Sequence, residues 1–413
     1  MRGKTTQYAW VVPRGAYMLT LKARGVLVDG SLNELREELY LTRKAIQYIV
    51  DALWELDKLP TLNQLHQMFY KMLRNHRFRA HQCKQIYKYA LGLVKSAKKN
   101  NGKKPILRKL SARLDRYDAS VDLGNQIVVV KMRSKEFKIR LLHRRDYVRK
   151  FMDRKWYEVI ISIDRRGRIW VCIPFRWVYN PYRPRRLISL DINLRKIVMY
   201  NGRKVRRIDT RFTEALYLKH LAEEVQKHHS YAWRRNKKWL KIIRALHRRS
   251  RNIVVDWCRK FAKYIVLKAK KTKSAIVLED LEKLWFNASR KSSSLADKLS
   301  RFAYRKLQQA ILTKAIEYNV PVIFIDPRNT SSTCPRCGYK LSYNHRLAIC
   351  SKCGFIADRD KVGVANIYLK AFKLLAPRPG SWGTHPMTDE TQAKGGFHID
   401  EPMTVHIHSY KII

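Results

Sequence analysis

Residues 8–30 read as extended segments, the apolar run YAWVV and then YMLTLKARGVLV, in which apolar and polar positions alternate from Leu19 to Arg24. This is the two-residue period of a half-buried strand, with breaks at Pro13 and Gly15 and a closing turn pair, Asp29-Gly30. At Ser31 the period changes. Ser31 and Glu34 have the spacing of a capping box, and Leu35, Leu39, Ile46, Ile49, Val50 and Leu53 then recur every three to four residues, which predicts a helix to about residue 57. The same spacing predicts helices over 61–73 and 79–97, followed by an exposed basic linker, KKNNGKKP, at 98–105. From about 118 the shorter period returns in VDLG, QIVVVKM, FKIRLL, WYEVIISID and RIWVCIPF, the last two joined at Arg165-Arg166-Gly167. A helical block at 31–115 thus separates β-rich stretches at 1–30 and 116–185, an order that predicts one barrel interrupted by a helical insert.

A Pro-rich join, NPYRPRR, leads into LISLDI, KIVMYN and KVRRID, which predict strands with a turn at Asn201-Gly202. Residues 214–271 are almost wholly helical in pattern, and Trp239, Ile242, Ile243, Leu246, Ile253 and Val254 form an apolar seam. SAIVLEDL (274–281) reads as a strand ending in acid; a Ser-rich exposed stretch at 289–294, a helix at about 300–318 and the strand PVIFID (321–326) follow. DRDKVGVANIYLKAF begins a last helix. Residues 376–413 open with turn-formers and have no period, predicting a mobile tail, and the chain carries no internal repeat.

Charge changes this picture from architecture to partner. The 413 residues hold 87 Lys and Arg against 33 Asp and Glu, a formal charge of +54 that calls for a polyanion. A membrane surface competes for that role, but no run of about 18 apolar residues is present to span one. The N-terminus lacks the apolar core and cleavage site of a secretory signal, so a cytoplasmic, nucleoid-associated location is expected. Basic residues extend from Arg14 to Lys370 and interleave with 10 Trp and 22 Tyr, a distribution suited to grooves where cations meet phosphates and rings stack on bases. Taken singly, most of these rings serve to bury area. The basic run WRRNKKWLKIIRALHRRSRN is too one-sided in sign for an ordinary solvated helix face.

Cys334, Cys337, Cys350 and Cys353 form C-x2-C-x12-C-x2-C, the spacing at which two short turns present four thiolates to one tetrahedral zinc ion. A pair of disulfides is the weaker reading, since nothing points to an oxidising compartment. Cys83, Cys172 and Cys258 stand alone and read as small buried hydrophobes. Three acids stand at element ends: Asp191 within LISLDI, Glu279 at the end of AIVLE, and Asp360, with Asp358, at the start of the last helix. An acid in an apolar strand is costly unless paired, and a divalent cation is the strongest partner available. Three carboxylates from separate elements are what a pair of Mg2+ ions requires for in-line phosphodiester cleavage; a salt-bridged Asp among so many arginines is the competing reading for any one of them.

The segment IDPRNTSSTCPRCGYKLSYNHRLAICSKCGFIADRDKVGVANI (325–367) resembles the C-terminal signature of the TnpB family of transposon-encoded proteins, whose core is similar to that of the type V CRISPR effectors. LISLDI and VLEDL resemble the family's first and second RuvC motifs, and the basic helical stretch at 230–260 resembles the insertion between them. The resemblance covers roughly 186–370 at residue level and the rest by arrangement. It implies an α/β and α+β multidomain fold: an RNase H-like (RuvC) core at 186–330 with a basic helical insertion, a zinc ribbon at 331–355, and the last core helix at 356–375. An N-terminal wedge β-barrel interrupted by a helical recognition insert would precede them. Asp191, Glu279 and Asp360 would be the catalytic acids holding two Mg2+ ions, with Mn2+ as a substitute and Asp358 as the fallback for Asp360, while the four cysteines hold one structural zinc. The implied partners are a guide RNA transcribed from the element's own end and double-stranded target DNA cut beside a short motif, with a monomer preferred over an oligomer. Two departures from the family pattern stand out. Ser189 and Asn193 replace the usual glycines around the first acid, Asn being a residue that tolerates left-handed backbone, and Val362-Gly363-Val364 replaces an Asn-Ala-Ala run while Asn366 is retained. Arg346, in the second arm of the ribbon, is expected to be structural there, with a contact to the scissile phosphate as the alternative. An unguided resolvase or transposase, and a guided DNA-binding regulator that does not cut, are the alternative readings of the same residues.

Overall fold

The structure is a computed structural model that describes residues 9–280 and 295–375; the Ser-rich stretch and the C-terminal tail lie outside the described residues. Residues Ala16–Trp177 form one compact unit, and the residues up to Gly15 and from Val178 on form a second.

In the first unit, helix α1 (Leu32–Trp54) starts where the sequence predicts, because the Ser31 hydroxyl accepts from Asn33 N while Glu34 accepts from Ser31 N. A second capping box, Thr61 with Gln64, starts α2 (Leu62–Asn75), and α3 (Ala80–Lys99) completes the block. Leu53, Leu65, Leu73, Ile86 and Val94 are among the side chains these three helices bury against one another. The sheet of this unit has seven strands in the order β3-β7-β8-β2-β6-β5-β4. They are β2 (Gly15–Asp29), β3 (Leu110–Asp115), β4 (Ala119–Asp122), β5 (Ile127–Met132), β6 (Lys135–Leu142), β7 (Glu158–Ile163) and β8 (Ile169–Tyr179), with the short helix α4 (Arg145–Arg149) between β6 and β7. In β2 the buried positions Leu19, Leu21 and Ala23 alternate with exposed ones, as the sequence period requires.

The first strand departs from the expected grouping. β1 (Ala9–Val11) pairs antiparallel with β13 (Val322–Ile325) in the second unit rather than joining β2. Val12 N still donates to Val322 O, but Pro13 has no amide to extend the ladder, and the chain leaves that sheet.

The second unit is built on a six-stranded sheet, β1-β13-β12-β9-β10-β11. Its centre is parallel: β9 (Arg186–Ile192), β12 (Ser274–Glu279) and β13 lie side by side in the same direction. Their side chains are buried almost without interruption, which is why these strands read as apolar runs rather than as alternations. β10 (Lys196–Tyr200) and β11 (Val205–Asp209) extend the sheet antiparallel beyond β9. The helical stretch after β11 is divided into α5 (Phe212–His228), a 3-10 turn at Ser230–Arg234, and α6 (Lys237–Lys271), where the period alone predicted near-continuous helix. The break has a local cause, since the Asn236 side chain accepts from Lys238 N and caps a new helix. α6 packs against α5 and against α7 (Leu295–Tyr318) through Ile243, Ser250, Val254, Cys258 and Ile265, leaving Arg244, Arg248, Arg249 and Arg251 exposed. Cys83 and Cys258 are buried as expected, whereas Cys172 is only half-buried. No described helix is long and apolar enough to cross a membrane.

Candidate metal centres

Parallel pairing places the first two acids. Val277 lies opposite Ser189 in the β9–β12 register, so two residues further on Asp191 and Glu279 stand level at the C-terminal ends of adjacent central strands, on the same face of the sheet. Open α/β sheets characteristically bind ligands at this edge. Burial drives both groups toward the protonated form: Asp191 is pushed from 3.8 up to about 6, and Glu279 from 4.5 up to about 7. Hydrogen bonds from Asn193 Nδ2 (3.3 Å) and Thr330 Oγ1 (2.7 Å) pull the other way, while the field of Asp360 adds to the rise at Asp191 and that of Asp191 to the rise at Glu279. Desolvation outweighs the nearby cations, Arg359 and Lys196 at Asp191 and Lys370 at Glu279, and a bound divalent ion would offset that cost.

The third acid comes from α8 (Arg359–Leu375), which packs Ile367 and Ala371 on Leu187, Ala275, Val277, Ile323 and Ile325 of the central strands. Asp358, the last residue of β16 (Ile356–Asp358), is occupied as this helix's cap: its Oδ1 accepts from Asp360 N at 2.9 Å. Although burial works to raise it, that amide and the guanidinium groups of Arg346 and Arg207 hold the Asp358 carboxyl below the usual range. Asp360, in the first turn, is buried, and its Oδ2 receives both Arg346 Nη2 and Lys196 Nζ at 2.5 Å. The fold therefore brings Asp191, Glu279 and Asp360 to one end of the sheet. Among the described residues, however, the four cysteines are the only group of three or more such side chains whose ligand atoms all lie within 4.8 Å of one another, and Asp360 is turned to its two cations.

The family-pattern departures have physical accounts. Ser189 is fully buried and donates to Val364 O at 2.8 Å, binding β9 to α8. Asn193 does not adopt left-handed backbone; its amide serves Asp191 instead. In the run Val362-Gly363-Val364, Val362 fills the apolar interior of the cysteine ribbon, while a Cβ at Gly363 would lie 3.1 Å from Asp191 Oδ2, so glycine keeps room beside that carboxylate. Asn366 donates to Thr330 O and Thr333 O, fixing the loop that carries the Glu279 partner. Besides Asn193, three side chains contact the acids without a sequence signal that assigns them there. Thr330 sits inside the family-like segment, which could have drawn attention to it. Lys196 is one lysine among many, and only strand register singles it out. Arg346 was expected to serve the ribbon, but its guanidinium leaves the ribbon for Asp360 because Arg359 N pairs with Arg346 O and sets the two segments side by side.

The ribbon itself is a three-stranded sheet of β14 (Ser342–Asn344), β15 (Leu347–Ile349) and β16. Its two knuckles repeat the same turn. Gly338 N donates to Cys334 O and Gly354 N to Cys350 O, with both glycines at positive φ, 75° and 66°. Cys334 and Cys353 Sγ lie 3.6 Å apart, and Cys337 and Cys350 Sγ 3.5 Å. Tetrahedral zinc with bonds of about 2.3 Å requires sulfurs roughly 3.8 Å apart, whereas a disulfide requires about 2 Å. The four thiols fit zinc and do not fit disulfides.

A multidomain fold of the Cas12 type, carrying a four-cysteine ribbon, is the class that this arrangement defines. The structure of Cas12f1 solved as an sgRNA–target DNA complex superposes with a TM-score of 0.56 at 13% identity, covering 86% of this chain and 99% of that one. Residues 304–367 match the family described as Cas12f1-like, TNB domain. A TnpB-like protein of Methanocaldococcus jannaschii is 29% identical over 261 residues, which are 60% of this chain and 91% of that protein. The CRISPR-associated endodeoxyribonuclease Cas12f1 of Sulfoacidibacillus thermotolerans is 32% identical over 134 residues, 32% of this chain and 30% of that protein. The chain belongs to the TnpB family.

Proposed function

We propose that this protein is an RNA-guided, Mg2+-dependent DNA endonuclease encoded by a transposable element, cutting target DNA beside a short recognition motif. The observation that carries the reading is the pair Asp191 and Glu279, level on adjacent parallel strands, half-buried and driven toward the protonated form by desolvation, with Asp360 in the field of Asp191. The strand order, with β9, β12 and β13 parallel and β10 and β11 beyond them antiparallel, supports reading this sheet as an RNase H-like core, and the seven-stranded sheet with its helical block would then be the wedge barrel and recognition insert. The relative named as an endodeoxyribonuclease and the solved complex containing guide RNA and target DNA supply the substrate class.

Asp191, Glu279 and Asp360 would hold two Mg2+ ions, and the four cysteines one structural zinc. Held there, the ions would supply an acidified water as nucleophile and charge stabilisation for the leaving oxygen. The protein's own part is to hold the acceptor oxygens. Thr330 orients Glu279, Asn193 orients Asp191, and the Asp358 cap fixes the helix turn that carries Asp360. The exposed arginines of α6 offer phosphate contacts, leaving sequence choice to base pairing.

Co-expression with RNA transcribed from the flanking element, followed by challenge with matched DNA and Mg2+, tests this. Guided cleavage is expected to disappear in Asp191→Ala while guided binding persists. Cleavage that survives the substitution refutes the site. Selective cleavage by RNA-free protein indicates an unguided resolvase, and tight guided binding without nicking in Mg2+ or Mn2+ indicates a regulator.

A further inference from the structure

We propose that Lys196 is a resident counter-cation of Asp360, competing with divalent ions for that carboxylate. The inference rests on the reading of Asp191, Glu279 and Asp360 as ion ligands and concerns how the third of them becomes available. Asp360 Oδ2 is claimed by two positive groups at once, Lys196 Nζ and Arg346 Nη2, each at 2.5 Å. Their situations differ. Arg346 reaches Asp358 Oδ2 as well, at 3.6 Å, so it keeps an anionic partner if Asp360 is withdrawn. Among the described residues, Asp360 is the ion-pair partner of Lys196.

Lys196 is also held by its backbone. Asn193 N donates to Lys196 O at 3.0 Å, and Val198, two residues along the same strand, lies opposite Asp191. Side chains two apart on a strand share a face, so the Lys196 stem rises on the face that carries Asp191 and, through the β9–β12 register, Glu279. Its side chain is 25% exposed and that of Asp360 12%, so the pair is little screened by water. An ammonium fixed at this point satisfies the electrostatic demand of the third acid. A divalent ion gains Asp360 only by displacing the ammonium, which makes this ligand the last of the three to be engaged. Lys196 is therefore a positioning residue acting through Asp360, and the signature of that role is an ion affinity.

The test is a Mn2+ titration of full-length, zinc-loaded protein stripped of nucleic acid at high salt, with free Mn2+ read by electron paramagnetic resonance. Wild type is expected to bind Mn2+ through Asp191 and Glu279 and to show a weaker affinity that depends on Asp360. Lys196→Met and Lys196→Gln are expected to tighten that weaker affinity about tenfold or more. Lys196→Arg is expected to leave it unchanged, and Lys196→Met combined with Asp360→Asn to match Asp360→Asn alone. The two neutral substitutions make different demands on folding, so either one that folds reports the effect. If Mn2+ binding is abolished by Asp191→Asn yet Lys196→Met and Lys196→Gln titrate like wild type, or more weakly, the competition is refuted and the nuclease site stands. If no variant shows Mn2+ binding that depends on Asp191, both fall.

Discussion

Replacing Glu279 by glutamine is expected to stabilise the ion-free protein at neutral pH while destroying its chemistry. Burial raises the Glu279 carboxyl from 4.5 in an open chain to about 7 in the folded one. Below about pH 4.5 both states carry the proton, and the site costs the fold nothing. Between about 4.5 and 7 the unfolded chain releases its proton first, so stability falls as pH rises and the full penalty is present above 7. At about 1.4 kcal/mol per pH unit, that penalty is on the order of 3 kcal/mol. Glutamine keeps an oxygen to accept from Thr330 Oγ1 and cannot ionise, so it escapes the penalty. Guanidinium unfolding of zinc-loaded, Mg2+-free protein from about pH 5 to about pH 8 measures it, the advantage of Glu279→Gln over wild type growing by roughly 2–3 kcal/mol across that range. Added Mg2+ should raise wild-type stability at the upper pH by mass action and do much less for the variant. An advantage that is flat with pH would refute the claim that Glu279 is held uncharged by burial, and with it the argument that this site waits for a cation.

Cys350→Ser should lower bound zinc from about one equivalent to none by elemental analysis, and speed hydrogen exchange of the amides in 342–358, because this ribbon has few apolar contacts besides its thiolates. Gly363→Ala should gain up to about 1 kcal/mol in helix propensity. Its methyl, 3.1 Å from Asp191 Oδ2, should nevertheless displace that carboxylate and slow single-turnover cleavage by about tenfold or more. A variant whose melting point and cleavage rate both match wild type would show that the crowding is relieved without consequence.

Local grammar was legible where one stretch of chain decides its own conformation. Ser31 with Glu34, and the spacing from Leu35 to Leu53, specify α1 without reference to anything distant. The acids of β9 and β12 stood out because a charge that ends an apolar strand is expensive, and the cysteine spacing because thiolates at a knuckle have few other uses. What stayed hidden depends on partners remote in sequence. Nothing in YAWVV says that Ala9–Val11 lies beside Val322–Ile325 rather than the adjoining strand. Lys196 and Arg346 are single cations in a chain that holds 87 Lys and Arg, and only register brings them to Asp360. Asn193 was read for its backbone tolerance, yet it matters through its side chain, a distinction that sequence period does not carry.

The first turn and a half of α8 serves two masters. Val362 is seated among the cysteine knuckles, Asp360 and Gly363 face the acidic end of the sheet, and these residues are too close together to be moved separately. Drift in the ribbon is thus never local. A descendant that gave up its thiolates would have to refasten this turn by other means or surrender the geometry of the third carboxylate, so the two centres should be kept or abandoned together as such proteins diverge.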